Sequence, residues 1–303
     1  MGNGLSARKV LITGASSGIG LAIALVLARK GYQVWGTTRD LAKVGNLAKL
    51  VDSEVKLIPV ENAQSEQAID FPSEGPVIKF LQMDVTDDLS LQAGFAQFMD
   101  AAGGIDILIN NAGFGVFGPL EEFPLEKTKE IFETNYFGAL RLIQQAAPVM
   151  RAQRHGLIIN ITSLAARFVI PFQVHYSATK FALAALTEGL RQELRPFGVK
   201  VVAVEPGDIK TSFNDVTIFG IGEKSPYKKW ADRCWHMIDV NMQKAPSPQV
   251  IADRVLKIVN HANPRSRYAA GDFLSTKFPT IARFVTDRVR EKLIRIFYDI
   301  DFR

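Results

Sequence analysis

The chain has 303 residues, 47% of them hydrophobic and 22% charged, which is the balance of an ordinary globular protein and excludes a disordered or fibrous one. Its 36 Lys and Arg against 31 Asp and Glu give a net charge of +5, and the cations are dispersed among acids, so nothing marks it as a nucleic-acid binder. A single cysteine, Cys234, excludes an internal disulfide and cysteine-built metal sites; the expectation is a metal-free protein of the reducing cytoplasm.

No run reaches the roughly 20 apolar residues of a membrane span, and with a Gly-rich motif so near the start the expectation is that there is no signal peptide. Met1-Gly2-Asn3-Gly4-Leu5-Ser6 fits a myristoylation pattern, although a plain tail is the expectation. Beyond it, short β-branched runs alternate with segments of helical period. Strands are expected at Lys9–Thr13, Gln33–Thr38, Lys79–Met83, Asp106–Ile109, Leu157–Ile161, Lys200–Val204 and Arg267–Ala270. Helices are expected at Gly18–Lys30, Leu41–Leu50, Leu89–Ala101, Glu126–Met150, His175–Arg195 and Pro248–His261. This alternation predicts an α/β, single-domain, doubly wound Rossmann fold over residues 1–303 with a seven-stranded parallel sheet. Two segments break the rhythm. Residues 51–77 read as a surface excursion with a small strand at Val55–Val60, and 211–248, rich in aromatic residues, as a substrate lid.

After the first strand comes Thr13-Gly14-Ala15-Ser16-Ser17-Gly18-Ile19-Gly20, opening a helix. Glycines let the backbone turn and approach a pyrophosphate, whose charge meets the free N–H groups of the helix start, so the loop reads as a dinucleotide cradle. At the end of the second strand, where NAD-binding proteins place an acid, stand Thr38, Arg39 and Asp40. A guanidinium there can pair with a 2′-phosphate, which favours NADP over NAD; Asp40 could instead hold Arg39 in a surface pair or reach the ribose. Tyr176 and Lys180 are one helical turn apart, so the lysine can favour the phenolate of a group whose free pKa is about 10. Ser163 follows a strand and could donate to a developing alkoxide, although a capped turn and a surface Tyr–Lys pair are the plain counterparts.

With Asn110-Asn111-Ala112-Gly113, Asn135 and Pro206-Gly207 followed by Thr211, these motifs stand in the order that makes the chain resemble a short-chain dehydrogenase/reductase from Lys9 to Phe213. The resemblance implies that Tyr176 is general acid in carbonyl reduction and base in alcohol oxidation, and that Ser163 polarises the substrate oxygen. It implies that Lys180 lowers the Tyr176 pKa and holds the nicotinamide ribose, and that Asn135 positions a relay water. Gly14, Ser16, Ser17, Gly18, Ile19, Gly20, Thr38 and Arg39 would hold the phosphate and ribose end. Asp84 and Val85 would meet the adenine, Asn111, Ala112 and Gly113 would border the cofactor, and Pro206, Gly207, Ile209 and Thr211 would hold the nicotinamide end. Residues 51–77 and 272–303 exceed the family pattern.

Phe114, Val116, Phe117, Leu164, Phe168, Val169, Pro171 and Phe172, with the lid aromatics, would line an apolar cleft for a lipophilic carbonyl or alcohol. Residues 160–180 are similar to the steroid- and retinoid-type reductase branch. The expected function is therefore an NADP(H)-dependent oxidoreductase, with an NAD-linked alcohol-oxidising enzyme or a non-catalytic dinucleotide sensor as alternatives. Arg167 reads as a surface or substrate-rim charge and His175 as a helix-start residue. In the tail, Ile281, Phe284, Val285, Val289, Leu293, Ile296, Phe297 and Ile300 lie opposite Arg283, Arg288, Arg290, Lys292 and Arg295, an amphipathic helix. It could cover the cleft, pack on a second subunit or lie on an anionic membrane; packing on the domain or a subunit is preferred, since family habit suggests a homodimer or homotetramer.

Overall fold

Side chains alternate across a strand, so Val10 and Ile12 must point to one face of a sheet and Leu11 to the other. All three are fully buried, which requires helices on both faces, as in a parallel α/β sheet. A computed structural model describes residues 7–48, 51, 53–61, 71, 75–272, 276–277 and 284–300. The Met1–Ser6 motif and the tail residues Ile281 and Arg283 lie outside them.

In chain order the elements are β1 (Lys9–Ile12), α1 (Gly18–Arg29), β2 (Gln33–Thr38), α2 (Ala42–Ala48), β3 (Lys56–Pro59), β4 (Val77–Gln82), α3 (Asp88–Ala102), β5 (Ile107–Asn110) and β6 (Val116–Phe117). There follow α4 (Leu125–Phe132), α5 (Gly138–Gln153), β7 (Gly156–Ile161), α6 (Val174–Leu194), β8 (Val199–Pro206), β9 (Ile218–Phe219), α7 (Lys228–Lys244), α8 (Gln249–Val259), β10 (Arg267–Ala270) and α9 (Asp287–Phe297). The main sheet is parallel in the order β10-β8-β7-β5-β1-β2-β4-β3. It has eight strands, not seven: the small strand of the 51–77 excursion pairs with β4 as its edge, Lys56 opposite Val77. That segment also carries Phe71, whose ring meets Trp35 edge-on at 4.7 Å, so part of it covers the sheet.

One layer of core joins Val10, Ile12 and Ile109 to Ile23, Leu27 and Val255, and the other joins Leu11, Leu108 and Ile158 to Phe98, Leu142 and Leu194. Among the described residues no helix is long and apolar enough to cross a membrane. The expected helix at Glu126–Met150 is divided by a π-helical turn at Glu133–Phe137, which inserts a residue's worth of rotation between α4 and α5. The 211–248 segment contains the seventeen-residue helix α7, where the sequence suggested a loop. Its aromatics hid the helical period because Trp230 and Trp235 pack on a satellite core with Phe117.

Gly20 tests how α1 is seated. A Cβ there would stand 2.3 Å from the Gly14 carbonyl oxygen and 2.5 Å from the Asn111 amide. Alanine gains about 1 kcal/mol of helix propensity over glycine, but backbone oxygen cannot yield as a side chain can. Gly20→Ala is therefore expected to destabilise by about 1–3 kcal/mol, read from the urea midpoint.

Candidate active site

The sheet order reverses between β1 and β5, so the connections leaving their carboxyl ends go opposite ways and open a crevice. Thr13 and Asn111 hold that junction. Thr13 Oγ1 accepts from the backbone N–H groups of Asn111 (2.9 Å) and Ala112 (3.0 Å), while Asn111 Nδ2 donates to the carbonyls of Thr13 (3.0 Å) and Gly14 (3.1 Å). Gly14 has φ +63°, a left-handed turn that a side chain would strain. The Ser17 side chain makes no capping hydrogen bond and the first turn of α1 holds no acid, so its N–H groups are left to an anion.

The crevice continues as one cleft of about 1500 Å³. Gly14, Ser16, Ser17, Gly18, Ile19, Thr38, Arg39, Asp84, Val85, Asn111, Ala112, Gly113, Ser163, Tyr176, Lys180, Pro206, Gly207, Ile209 and Thr211 all line it. Gly20 and Asn135 do not: the first packs under the loop and the second stands behind the wall.

At the β2 end, Asp40 Oδ1 accepts from Ala42 N (3.0 Å), starting α2, and the Thr38 hydroxyl bonds the Asp40 backbone. Asp40 is thus occupied locally, and among the described residues no ion pair joins it to Arg39. Lys43, the second residue of α2 and overlooked in the sequence, also lines the cleft, as Arg39 does. Farther along, Asp84 Oδ1 accepts from Thr86 N (2.9 Å) and Oγ1 (2.7 Å), which fixes the carboxylate at the cleft wall.

Tyr176 and Lys180 sit on α6. The Lys180 Nζ donates to Ile161 O (3.0 Å) and lies 5.6 Å from the Tyr176 ring centroid. Ser163 Oγ caps the turn after β7 by accepting from Ala165 N (3.0 Å), and it stands beside the Tyr176 phenol, whose pKa it lowers. Capping and a place beside the phenol therefore coexist. Burial pushes the Tyr176 phenol up to about 12, against the Ser163 hydrogen bond and with the Asp208 charge adding to the rise. Burial lowers Lys180 to about 8. The expected lowering of the tyrosine by Lys180 is not what the protein alone displays, because both groups are desolvated together.

Asn135 occupies the π-helical turn. Its Nδ2 donates to Phe114 O (3.0 Å) and Thr179 Oγ1 (3.2 Å), and its Oδ1 accepts from Phe114 N (3.1 Å). Thr179 in turn donates to Tyr176 O (2.7 Å), so Asn135 ties the β5 loop to the helix bearing the Tyr–Lys pair. Thr179 was not legible as a site residue.

Arg167 is not a rim charge. Its guanidinium grips the fully buried Glu205 (Nη2–Oε2 2.7 Å, Nε–Oε2 2.8 Å), and Glu205 also holds Arg267 (3.2 Å), which reaches Glu188 (2.8 Å). The network joins the turn after Ser163 to β8 and β10. His175 stays outside the cleft, its Nδ1 3.2 Å from Thr128 Oγ1 and its ring against Phe123. Of the expected apolar wall, Phe114, Leu164, Phe168 and Val169 line the cleft, whereas Val116, Phe117, Pro171 and Phe172 do not. Phe117 stacks instead with Phe172 and Trp235 in the satellite core. Phe213, Ile238 and Met242 complete the wall, and α9 adds Leu293, Ile294, Ile296 and Phe297.

The family model described as short chain dehydrogenase matches residues 8–217. The chain is 32% identical over 293 residues to a 3-ketodihydrosphingosine reductase of Bacteroides thetaiotaomicron, covering 96% of this chain and 98% of that one. It is 33% identical to retinol dehydrogenase 8 of Bos taurus, covering 86% of this chain and 80% of the relative. A crystal structure of a short-chain dehydrogenase from Streptomyces avermitilis superposes with a TM-score of 0.75 at 28% identity, covering 96% of both chains.

Glu205→Ala would strand the Arg167 guanidinium and leave Arg267 with Glu188 alone. The expected cost is about 3 kcal/mol, the low end for a broken buried pair because both arginines keep some contact with water. Denaturant unfolding of Glu205→Ala and Arg167→Met, singly and together, measures it: the double variant should lose less than the sum.

Proposed function

The chain belongs to the short chain dehydrogenase family, and from that membership we propose an NADP(H)-dependent oxidoreductase that interconverts a lipophilic carbonyl compound and its secondary alcohol. The observation that carries the cofactor choice is the pair Arg39 and Lys43. Both are exposed on the cleft wall where the second strand ends, and the nearest acid, Asp40, is engaged with its own helix start. Two cations there suit a 2′-phosphate, where a carboxylate would suit a bare ribose.

The residues present fit a nicotinamide dinucleotide. A Cβ at Gly20 would collide with the loop, the α1 N-terminus has no side-chain cap, and the cleft runs without a break from Arg39 to Tyr176. When bound, the dinucleotide supplies or accepts the hydride. Gly14 and Ser16–Ile19 would hold its phosphates, Asp84 and Val85 the adenine, and Asn111–Gly113 with Pro206, Gly207, Ile209 and Thr211 the nicotinamide end.

Reduction leaves negative charge on the substrate oxygen. Tyr176, protonated throughout the neutral range, donates its Oη proton to that oxygen, and Ser163 Oγ hydrogen-bonds the same atom. Lys180 is cationic below about 8 and favours the phenolate as the proton leaves, a stronger effect in a dry site than in water. Asn135 and Thr179 hold the Tyr–Lys helix against the β5 loop and act as positioning residues. The apolar wall supports a lipophilic substrate, as do relatives whose names specify a ketosphingoid base and retinol.

Fluorescence titration is expected to show NADPH bound at least tenfold more tightly than NADH, about 1.4 kcal/mol. Arg39→Ala with Lys43→Ala should erase that preference while leaving NADH binding unchanged; equal affinity in the wild type would point to the NAD-linked alternative. Tyr176→Phe should retain NADPH binding and lose turnover of a steroid, retinoid or lipid ketone by about 10²-fold or more. For the wild type, kcat/KM in reduction should fall as pH rises through about 8, where Lys180 loses its proton, and Lys180→Arg should move that limb upward.

A further inference from the structure

Val169, Val216, Leu293, Ile296 and Phe297 are large apolar side chains between 44% and 56% exposed, and all five line the mouth of the catalytic cleft. They come from three separate segments: the turn after Ser163, the loop after Thr211, and α9. Water-exposed apolar residues scattered singly need no explanation, but a ring of them around one opening does.

Helix α9 shows why the ring stays uncovered. Its C-terminal end is anchored by the buried Ile300 and by Tyr298, which pack with Cys234 and Ile238. Val289, Leu293, Ile296 and Phe297 then fall on one stripe and remain half in water, with Phe284, 88% exposed, just before the helix. Arg288, Lys292 and Arg295 stand exposed along one edge of that stripe, and among the described residues no ion pair engages them. Of the two acids on the helix, Asp287 is paired with Arg290. Lys244, exposed at the end of α7, adds a further cation at the cleft mouth.

We propose that this rim docks on an anionic phospholipid bilayer, with α9 lying in the interface plane and the cleft opening into the lipid. An apolar stripe bordered by unpaired Lys and Arg is the pattern of a helix that buries one face at the headgroup boundary and draws anionic lipid to the other. A second copy of the chain fits less well, because a two-fold contact sets the same patch against itself and would bring one cationic patch, with Arg288, Lys292, Arg295 and Lys244, against another. Docking itself is independent of cofactor choice. The consequence that substrate enters from the bilayer rests on the lipophilic-substrate reading above.

Flotation of the full chain with vesicles tests the docking without substrate or turnover. Wild-type protein is expected to float with a phosphatidylcholine–phosphatidylserine mixture and about tenfold less with phosphatidylcholine alone. Leu293→Ser with Phe297→Ser, and separately Lys292→Glu with Arg295→Glu, should each cut flotation about tenfold with the melting temperature unchanged. Leu89→Ser, a change at an exposed leucine elsewhere, should have no effect. Absence of flotation, or equal flotation of wild type and both double variants, overturns the proposal. So does a dimer by light scattering that the Leu293→Ser, Phe297→Ser variant dissolves, which would assign the face to a second copy. Loss of turnover with flotation intact would instead count against the enzymatic reading alone.

Discussion

The hydrogen-bonded junction between the ends of β1 and β5 is the constraint on which the site depends. Two adjacent parallel strands part there, and Thr13 and Asn111 satisfy four backbone groups that the parting would otherwise leave unpaired. From that clamp the chain of contacts runs outward: Gly113 leads to Phe114, whose backbone holds Asn135, which holds Thr179, which holds the first turns of α6 with Tyr176 and Lys180. The phosphate cradle and the Tyr–Lys pair are thus positioned by one continuous polar thread. The π-helical turn lets Asn135 reach it, since an unbroken α-helix would rotate that side chain away.

Burial acts on Tyr176 and Lys180 in two directions. Desolvation keeps the phenol protonated and weakens the lysine's hold on its proton, which favours a proton donor at rest. The same low dielectric makes each nearby charge count for more once a substrate oxygen begins to carry charge. The Glu205 network works alongside this arrangement: by seating Arg167 it anchors the turn that follows Ser163 to two strands of the sheet. That turn contributes Leu164, Ala165, Phe168 and Val169 to the cleft wall, so an ion pair outside the cleft shapes its lining.

The apolar half of the cleft is built differently, from short segments and α9 packed by apolar contact instead of polar thread. Its walls come from elements distant in sequence, and the outermost of them keep their side chains in water. Stability is concentrated in the sheet and its two core layers, while the entrance is formed by elements that contribute little to either.

The alternation of β-branched runs with helical period, the Gly14–Gly20 loop and the Ser163, Tyr176 and Lys180 pattern were legible in the sequence. Each is a local rule: strand burial, turn geometry and one-turn spacing act between residues close in the chain. The edge strand Lys56–Pro59 was visible only as a hint, because four residues form a strand only when β4 offers them a partner. The role of Arg167 was misread since its partner Glu205 lies thirty-eight residues away and nothing local requires the pair. Phe117 and Phe172 carry the same apolar character as Phe114 and Phe168, and only the packing of α7 sends them to a separate core, while Val116 is buried behind the cleft with Phe123 and Ile131. Residue type and spacing determined which chemistry the chain can carry; which side chains face the cleft, and which are desolvated, was decided by contacts between distant segments, because burial is a property of the assembled neighbours and not of the residue.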